Sequence, residues 1–223
     1  MDVATAVAQR RSCRAFLPDP VPEATVRRLI ERALRAPSGG NLQPWRIIAL
    51  AGEAKDAVTP LAQQALFANP QGEEGEHPIY PKPLGEPYRS RRFKVGEDLY
   101  AALGIEREDK AGRYAWLAQN FSWFGAPVGL FFVTRRTFGH GQWAHMGMLM
   151  ATLALLAEEE GLGTCMQEAW AMVRPVLHDH LGLDEDELIT SGMALGHPDK
   201  SHPVNRWRSE RADLDAVATF KGF

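Results

Sequence analysis

Apolar and polar positions follow two periods along this chain, and each change of period marks an element. Val26, Leu29, Ile30, Ala33 and Leu34 recur at helical spacing, so the segment opened by Val21-Pro22-Glu23 is predicted to be an amphipathic helix. Pro22 suits its first turn and Glu23 faces the positive end of its dipole. Ala36-Pro37 stops it, because the residue before a proline is pushed out of the α region. A turn-rich Ser38-Gly39-Gly40-Asn41 loop follows, then a strand over residues 45–50. Residues 53 to about 68 are predicted to be helical. Residues 69–92 are rich in Pro and Gly with mixed charge and are expected to form a long functional loop, an active-site lid or excursion. Two helices are predicted near 96–104 and 108–123, the second carrying Tyr114, Trp116, Phe121, Trp123 and Phe124.

The second half is more apolar. Residues 127–134 form an uninterrupted apolar run, the mark of a central strand. Residues 142–160 are apolar on nearly every side, which predicts a helix buried all round, with a second subunit as its cover. Gly161 and Gly163 end it, and residues 164–167 read as a short extended piece. A helix over 175–181 and a strand over 188–195 complete the pattern, and the tail from 197 to 223 shows little regularity. Strands separated by helices give an α+β fold, a mixed central sheet flanked by helices. No shift of composition divides residues 1–223, so one domain is expected.

Composition adds exclusions. The chain has 223 residues, 45% hydrophobic and 24% charged, with a net charge of −3. Those values are ordinary for a globular domain and argue against disorder. They also argue against a partner held by bulk positive charge, so no nucleic acid is expected. The charge is uneven: residues 1–35 hold seven Arg against four acidic side chains. The longest apolar run, 146–157, is far short of the roughly 20 residues of a membrane helix, so no membrane partner is expected. Two cysteines, Cys13 and Cys165, are too few for a disulfide scaffold. The first twelve residues do not read as a signal peptide, and a reducing, cytoplasmic location is expected.

Three clusters carry candidate chemistry. Arg10, Arg11, Ser12 and Arg14 place three guanidinium groups and a hydroxyl within five residues, either an oxyanion site or a solvated basic helix end. Pro37, Ser38, Gly39, Gly40, Asn41 and Gln43 form a loop whose glycines allow close backbone approach and whose polar side chains suit a heteroatom-rich ligand. It is neither a Walker loop nor a GxGxxG fingerprint. In the third cluster, GLGTCMQEAW, a buried helix ends and a short strand delivers Glu168 and Ala169. The seven histidines lack a third ligand at a zinc spacing, so no metal is expected.

Taken in order, these motifs resemble the nitroreductase family of FMN-dependent oxidoreductases. RRSxR resembles its opening. VPEATVRRLIERALRAPSGGNLQPWRIIAL is similar to its helix, Pro-Ser loop and QPW strand, and GLGTCMQEAW, GMALGHPD and RADLDAVATFKGF resemble its later signatures and tail. The insert PLGEPYRSRRFKVGEDLY resembles that of the nitrobenzoate-reductase-like branch. The resemblance implies an interlocked homodimer with two FMN molecules at its interface. It implies Arg10, Ser12 and the tail Arg211 on the FMN phosphate, Arg208 as a second tail candidate, and Arg11 supporting the ribityl chain. Arg14 would face the N1/O2 edge of the flavin. Pro37, Ser38, Gly39, Asn41 and Gln43 would come from the partner subunit. The backbone N–H at Glu168 and Ala169 would point at N5, with the Glu168 carboxyl near the nicotinamide pocket and Asn120 at the pyrimidine edge. Arg14, Glu168 and Ala169 are thus the implied catalytic set. The implied activity is ping-pong hydride transfer from NAD(P)H to a nitroaromatic or quinone-like acceptor, a small aromatic substrate. Reductive dehalogenation, flavin modification, or flavin binding without turnover are the competing activities on such a framework. The aromatic run 116–124 and the 69–92 segment are expected to wall the acceptor site. Arg89, Arg91 and Arg92 are either a carboxylate-favouring set or a solvated face.

Overall fold

The computed structural model describes residues 1–73 and 79–223. Its strands β1 (Arg46–Ala51), β2 (Val128–Arg135), β3 (Gly163–Gln167) and β4 (Glu187–Gly196) form one sheet in the order β1-β2-β4-β3. Neighbouring strands pair antiparallel. Parallel pairing enters at a single bridge, Ser12 to Thr164, which hangs the basic start of the chain on edge strand β3.

Cover on both faces accounts for the apolar run of β2 and for the burial of every residue of β4. On one face Val128, Leu130 and Phe132 meet Val26, Leu29 and Ala33 of helix α2 (Glu23–Ala33). Met146, Leu149, Leu153 and Ala157 of helix α6 (His140–Glu159) close that layer. On the other face Phe131, Val133, Ile189 and Ala194 pack against Val58, Ala62 and Leu66 of helix α3 (Gly52–Ala68). Trp123, Trp170 and Leu177 complete this second core, Leu177 from helix α7 (Arg174–Leu181). Helix α2 keeps its arginines outside: Arg27 pairs with Glu23 at 2.7 Å, and Arg28 and Arg32 reach Glu160 and Glu159 at 2.9 and 2.7 Å.

The chain departs from its sequence pattern in three places. Helix α4 (Tyr88–Ala102) begins inside the expected loop, so the irregular segment ends at Pro87. No residue of α4 is buried, and a helix without a buried stripe leaves no period to read. The next helix, α5 (Lys110–Ala118), stops earlier than expected and runs into 3-10 turns over Gln119–Gly125. There Trp123 and Phe124 adopt left-handed φ of 56° and 53°. Such bulky residues cost about 1–3 kcal/mol each in that region. Burial offsets it: Trp123 is fully buried, with its ring centroid 4.3 Å from Trp170 and 5.0 Å from Phe131. Gly129 and Gly192 make room for these rings, since a Cβ at either would come within 2.5 or 2.4 Å of an indole. Third, within one chain α6 is not buried all round. Ala144, Gly147, Met148 and Ala151 are exposed, one stripe at helical spacing. Residues 74–78 of the expected lid lie outside the described residues.

Candidate active site

The basic start follows helix α1 (Val3–Gln9), capped by Asp2, whose Oδ1 accepts from the Thr5 N–H at 2.8 Å. Past α1 the chain is extended, and the Cys13 N–H donates to the Thr164 carbonyl at 2.8 Å. The tail returns through helix α8 (Pro203–Arg206) and locks this segment with a buried asparagine. Asn205 Oδ1 accepts from the Arg14 N–H at 2.8 Å, and its Nδ2 donates to the carbonyls of Ala15 (2.7 Å) and Asp199 (2.8 Å). The Asn205 carbonyl accepts from Arg11 Nη1 at 2.6 Å. Arg208 donates to the last carbonyls of α1, those of Ala8 and Gln9, at 2.5 and 3.1 Å. Arg211 bonds locally to Ser209 and Glu210.

These folds leave a cavity of about 360 Å³ lined by Arg10, Arg11, Ser12, Arg14, Arg208 and Arg211, with Val95 and Trp207 as apolar walls. No acidic side chain lines it among the described residues. Five guanidinium groups and a hydroxyl are the donor set of a site for a dianion. Arg10, Arg11, Ser12 and Arg14 line a concave surface whose other wall is the far end of the chain. Behind it, half-buried Glu158 is held above the ordinary glutamate range by desolvation, despite the attraction of Arg11, Arg10 and Arg208. Burial pushes the Cys13 thiol up to about 12 and raises that of Cys165 as well, so both are unreactive thiols.

Edge strand β3 runs from this cavity to the second functional cluster. A rise of about 3.3 Å per residue sets Glu168 roughly 13 Å from Thr164. The turn at Glu168 is braced from behind: buried Gln167 donates from Nε2 to the Asn120 carbonyl at 2.7 Å, and Trp170 Nε1 donates to Gln167 Oε1 at 3.3 Å. Asn120 therefore lies beside the end of β3. Its own Nδ2 is engaged with the Leu117 carbonyl at 2.9 Å. The Glu168 carboxyl keeps solvent access, yet enough protein crowds it for desolvation to raise its pKa above the ordinary range.

The loop after α2 is the third cluster. Its backbone is left-handed at Gly40, Asn41 and Gln43, with φ of 59°, 55° and 48°. Ser38 Oγ accepts from the Gln43 N–H at 2.9 Å, and the Gly39 N–H donates to His145 Nε2 at 3.1 Å. Pro37, Gly39, Asn41 and Gln43 are exposed. His145 and Glu158 stand thirteen positions apart on α6, which at 1.5 Å per residue is about 20 Å. Within one chain, then, the loop and the basic cluster occupy opposite ends of α6 and do not meet.

The aromatic run 116–124 divides between core and surface. Phe121 and Trp123 are fully buried in the core and cannot face a ligand. Trp116 stacks on His202 at 6.4 Å between centroids. Arg89 pairs with Glu86 at 2.7 Å and Arg92 lies 4.1 Å from the Tyr80 ring centroid. Both line an 840 Å³ cavity with Lys82, Leu84 and Met172. Among the described residues no group of His, Cys, Asp and Glu could hold a metal, and no helix is long and apolar enough to cross a membrane. Asn205 and Glu158 were not singled out by the sequence, and His145 was considered there only as a metal ligand. The readable signal was His145 itself, a polar residue in an apolar helix.

This sheet, with a basic cavity at the edge strand and a strained loop on α6, is that of a known class. Residues 7–197 match the model of the nitroreductase family, and the chain belongs to that family. It is 37% identical over 214 residues to the nitrobenzene nitroreductase of Ectopseudomonas oleovorans, covering 96% of this chain and 94% of that protein. It is also 37% identical over 222 residues to the 4-nitrobenzoate reductase of Pseudomonas putida, covering 100% and 96%. The FMN- and NADPH-dependent nitroreductase NfnB of Sphigopyxis sp. strain HMH superimposes with a TM-score of 0.97 at 47% identity over all of both chains. NfnB of Mycobacterium smegmatis in complex with NADPH gives 0.92 at 28% identity, covering 99% of this chain and all of that one.

Proposed function

We propose that this chain is an FMN-dependent NAD(P)H oxidoreductase that reduces nitroaromatic and quinone-like acceptors as a homodimer, residues 1–223 acting as one domain. The observation that carries the reading is the cavity where five guanidinium groups and Ser12 converge from both ends of the chain. The similarity of the whole chain to FMN- and NADPH-dependent NfnB supports the choice of cofactor and donor. The residues present fit the group. Arg10, Ser12 and Arg211 hold the phosphate, with Arg208 beside them and Arg11 toward the ribityl chain. Arg14, whose backbone is fixed by Asn205, sets a positive charge at the N1/O2 edge, where charge grows on reduction.

Bound FMN supplies the two-electron, ping-pong relay from NAD(P)H to acceptor, chemistry that no side chain offers. Ala169, on a braced turn, would offer its main-chain N–H to N5. Glu168 holds a proton at its carboxyl to higher pH than an ordinary glutamate, beside the nicotinamide and acceptor slot. Asn120, beside the end of β3, would lie at the pyrimidine edge. The partner subunit brings Pro37, Ser38, Gly39, Asn41 and Gln43, since α6 keeps a chain's own loop about 20 Å from its basic cluster. The exposed stripe Ala144, Gly147, Met148 and Ala151 is the face that a second copy buries. Two buried free thiols suit a reducing cytoplasm. The purified protein supplied with excess FMN should be yellow, bleach with NAD(P)H under argon and recover colour with 4-nitrobenzoate. A protein that retains no flavin overturns the reading.

A further inference from the structure

We infer that His145 is a positioning residue for the flavin-facing loop: its Nε2 holds the Ser38–Asn41 backbone in the shape the loop presents across the interface. The inference rests on the FMN reading above.

The contact fixes the chemistry of the ring. The Gly39 N–H donates to Nε2 at 3.1 Å, so Nε2 carries a lone pair and the neutral imidazole bears its proton on Nδ1. That Nδ1 is buried and has no hydrogen-bond partner among the described residues. An apolar side chain would fill the same space without an orphaned donor, so packing alone does not account for a histidine here. Gly39 supplies the complementary observation. Its φ is not in the left-handed region, yet a Cβ there would come within 3.1 Å of His145 Cε1 and 3.3 Å of Nε2. The glycine is explained by the approach of the ring, not by backbone conformation.

Among the described residues the tether is also solitary. The other hydrogen bonds formed by residues 38–43 stay within the loop or reach only Trp45. With three left-handed residues in four, that loop has little reason to keep one shape unless something outside it holds an end. His145 does so from a helix that Met146, Leu149 and Met150 anchor in the core.

The test compares FMN binding by full-length apoprotein in three variants, read by quenching of flavin fluorescence and by visible circular dichroism of the bound flavin. His145→Leu removes the acceptor, His145→Gln restores one at Oε1, and Asn41→Ala alters the loop directly. Loss of one hydrogen bond predicts weakening of about five- to tenfold in His145→Leu, with an altered dichroism band, and rescue by His145→Gln. Equal behaviour of the Leu and Gln variants overturns the inference. So does wild-type binding by His145→Leu while Asn41→Ala weakens it, which leaves the FMN reading intact. Wild-type binding by all three and by Arg10→Ala overturns both. If His145→Leu does not fold, Gly39→Ala displaces the ring instead, and wild-type binding by that variant overturns the inference.

Discussion

Arg14 and Asn205 lie 191 residues apart, and the main-chain N–H of the first donates to the side-chain Oδ1 of the second at 2.8 Å. That bond orients the arginine proposed for the flavin edge from the tail of the chain. Asn205→Asp keeps an acceptor for Arg14 but removes both Nδ2 donors, leaving the carbonyls of Ala15 and Asp199 facing a carboxylate. Unsatisfied buried groups cost about 1–3 kcal/mol each, so the variant should lose roughly 2–6 kcal/mol of stability. A urea midpoint equal to that of the wild type would contradict the role of Asn205.

Arg10 lines the basic cavity and forms no ion pair in the described structure. Removing a charge-assisted bond of about 1.5–3 kcal/mol should weaken FMN roughly 10- to 150-fold in Arg10→Ala. Arg14→Ala should slow bleaching by NAD(P)H more than it loosens FMN. Equilibrium dialysis and stopped-flow absorbance separate the two effects, and identical profiles for both variants would refute the division of roles.

Glu168 makes stability depend on pH. Its folded pKa is raised by desolvation, so the native state holds the proton more tightly than the unfolded chain. The stabilisation is complete below the unfolded pKa and is lost as pH rises through the folded one. Glu158 is raised for the same reason and adds a slope of the same sign. Relative to wild type, Glu168→Gln apoprotein should therefore gain stability between pH 4 and pH 7, and Glu158→Gln should gain further. Guanidinium unfolding at the two pH values measures the difference; an unchanged difference would contradict the shift.

Gly192 is packed against Trp170 and Trp123, with a Cβ at that position only 2.4 Å from Trp170 Cδ1. The indole is held between Phe121 and Phe131 and cannot yield cheaply. Gly192→Ala should destabilise by about 1–3 kcal/mol or more through overpacking. A thermal scan showing no loss would mean that the tryptophan pair is more plastic than its contacts imply.

Legibility in the sequence follows the range of the interactions involved. Helix α2 was readable because burial on one side imprints a period on neighbouring residues, and strand β2 because cover on both faces leaves a continuous apolar run. The end of α5 was not: an aromatic run favours continuing the helix, and only the space left by Gly129 and Gly192 draws Trp123 into a left-handed backbone. The three functional clusters were visible because each is a short contiguous motif. Asn205 and His145 act on backbone 191 and 106 residues away; a polar residue in an apolar helix marks His145 as unusual, but no local pattern names the partner of either.

The length of α6 has a genetic consequence. If each centre takes its basic cluster from one chain and its loop from the other, lesions in the two regions belong to different centres of a mixed dimer. Co-expressing Arg10→Ala with Asn41→Ala subunits would then yield heterodimers with one doubly damaged centre and one intact. Random pairing leaves roughly a quarter of all centres whole. Two inactive alleles would thus restore each other's activity, while either expressed alone would not.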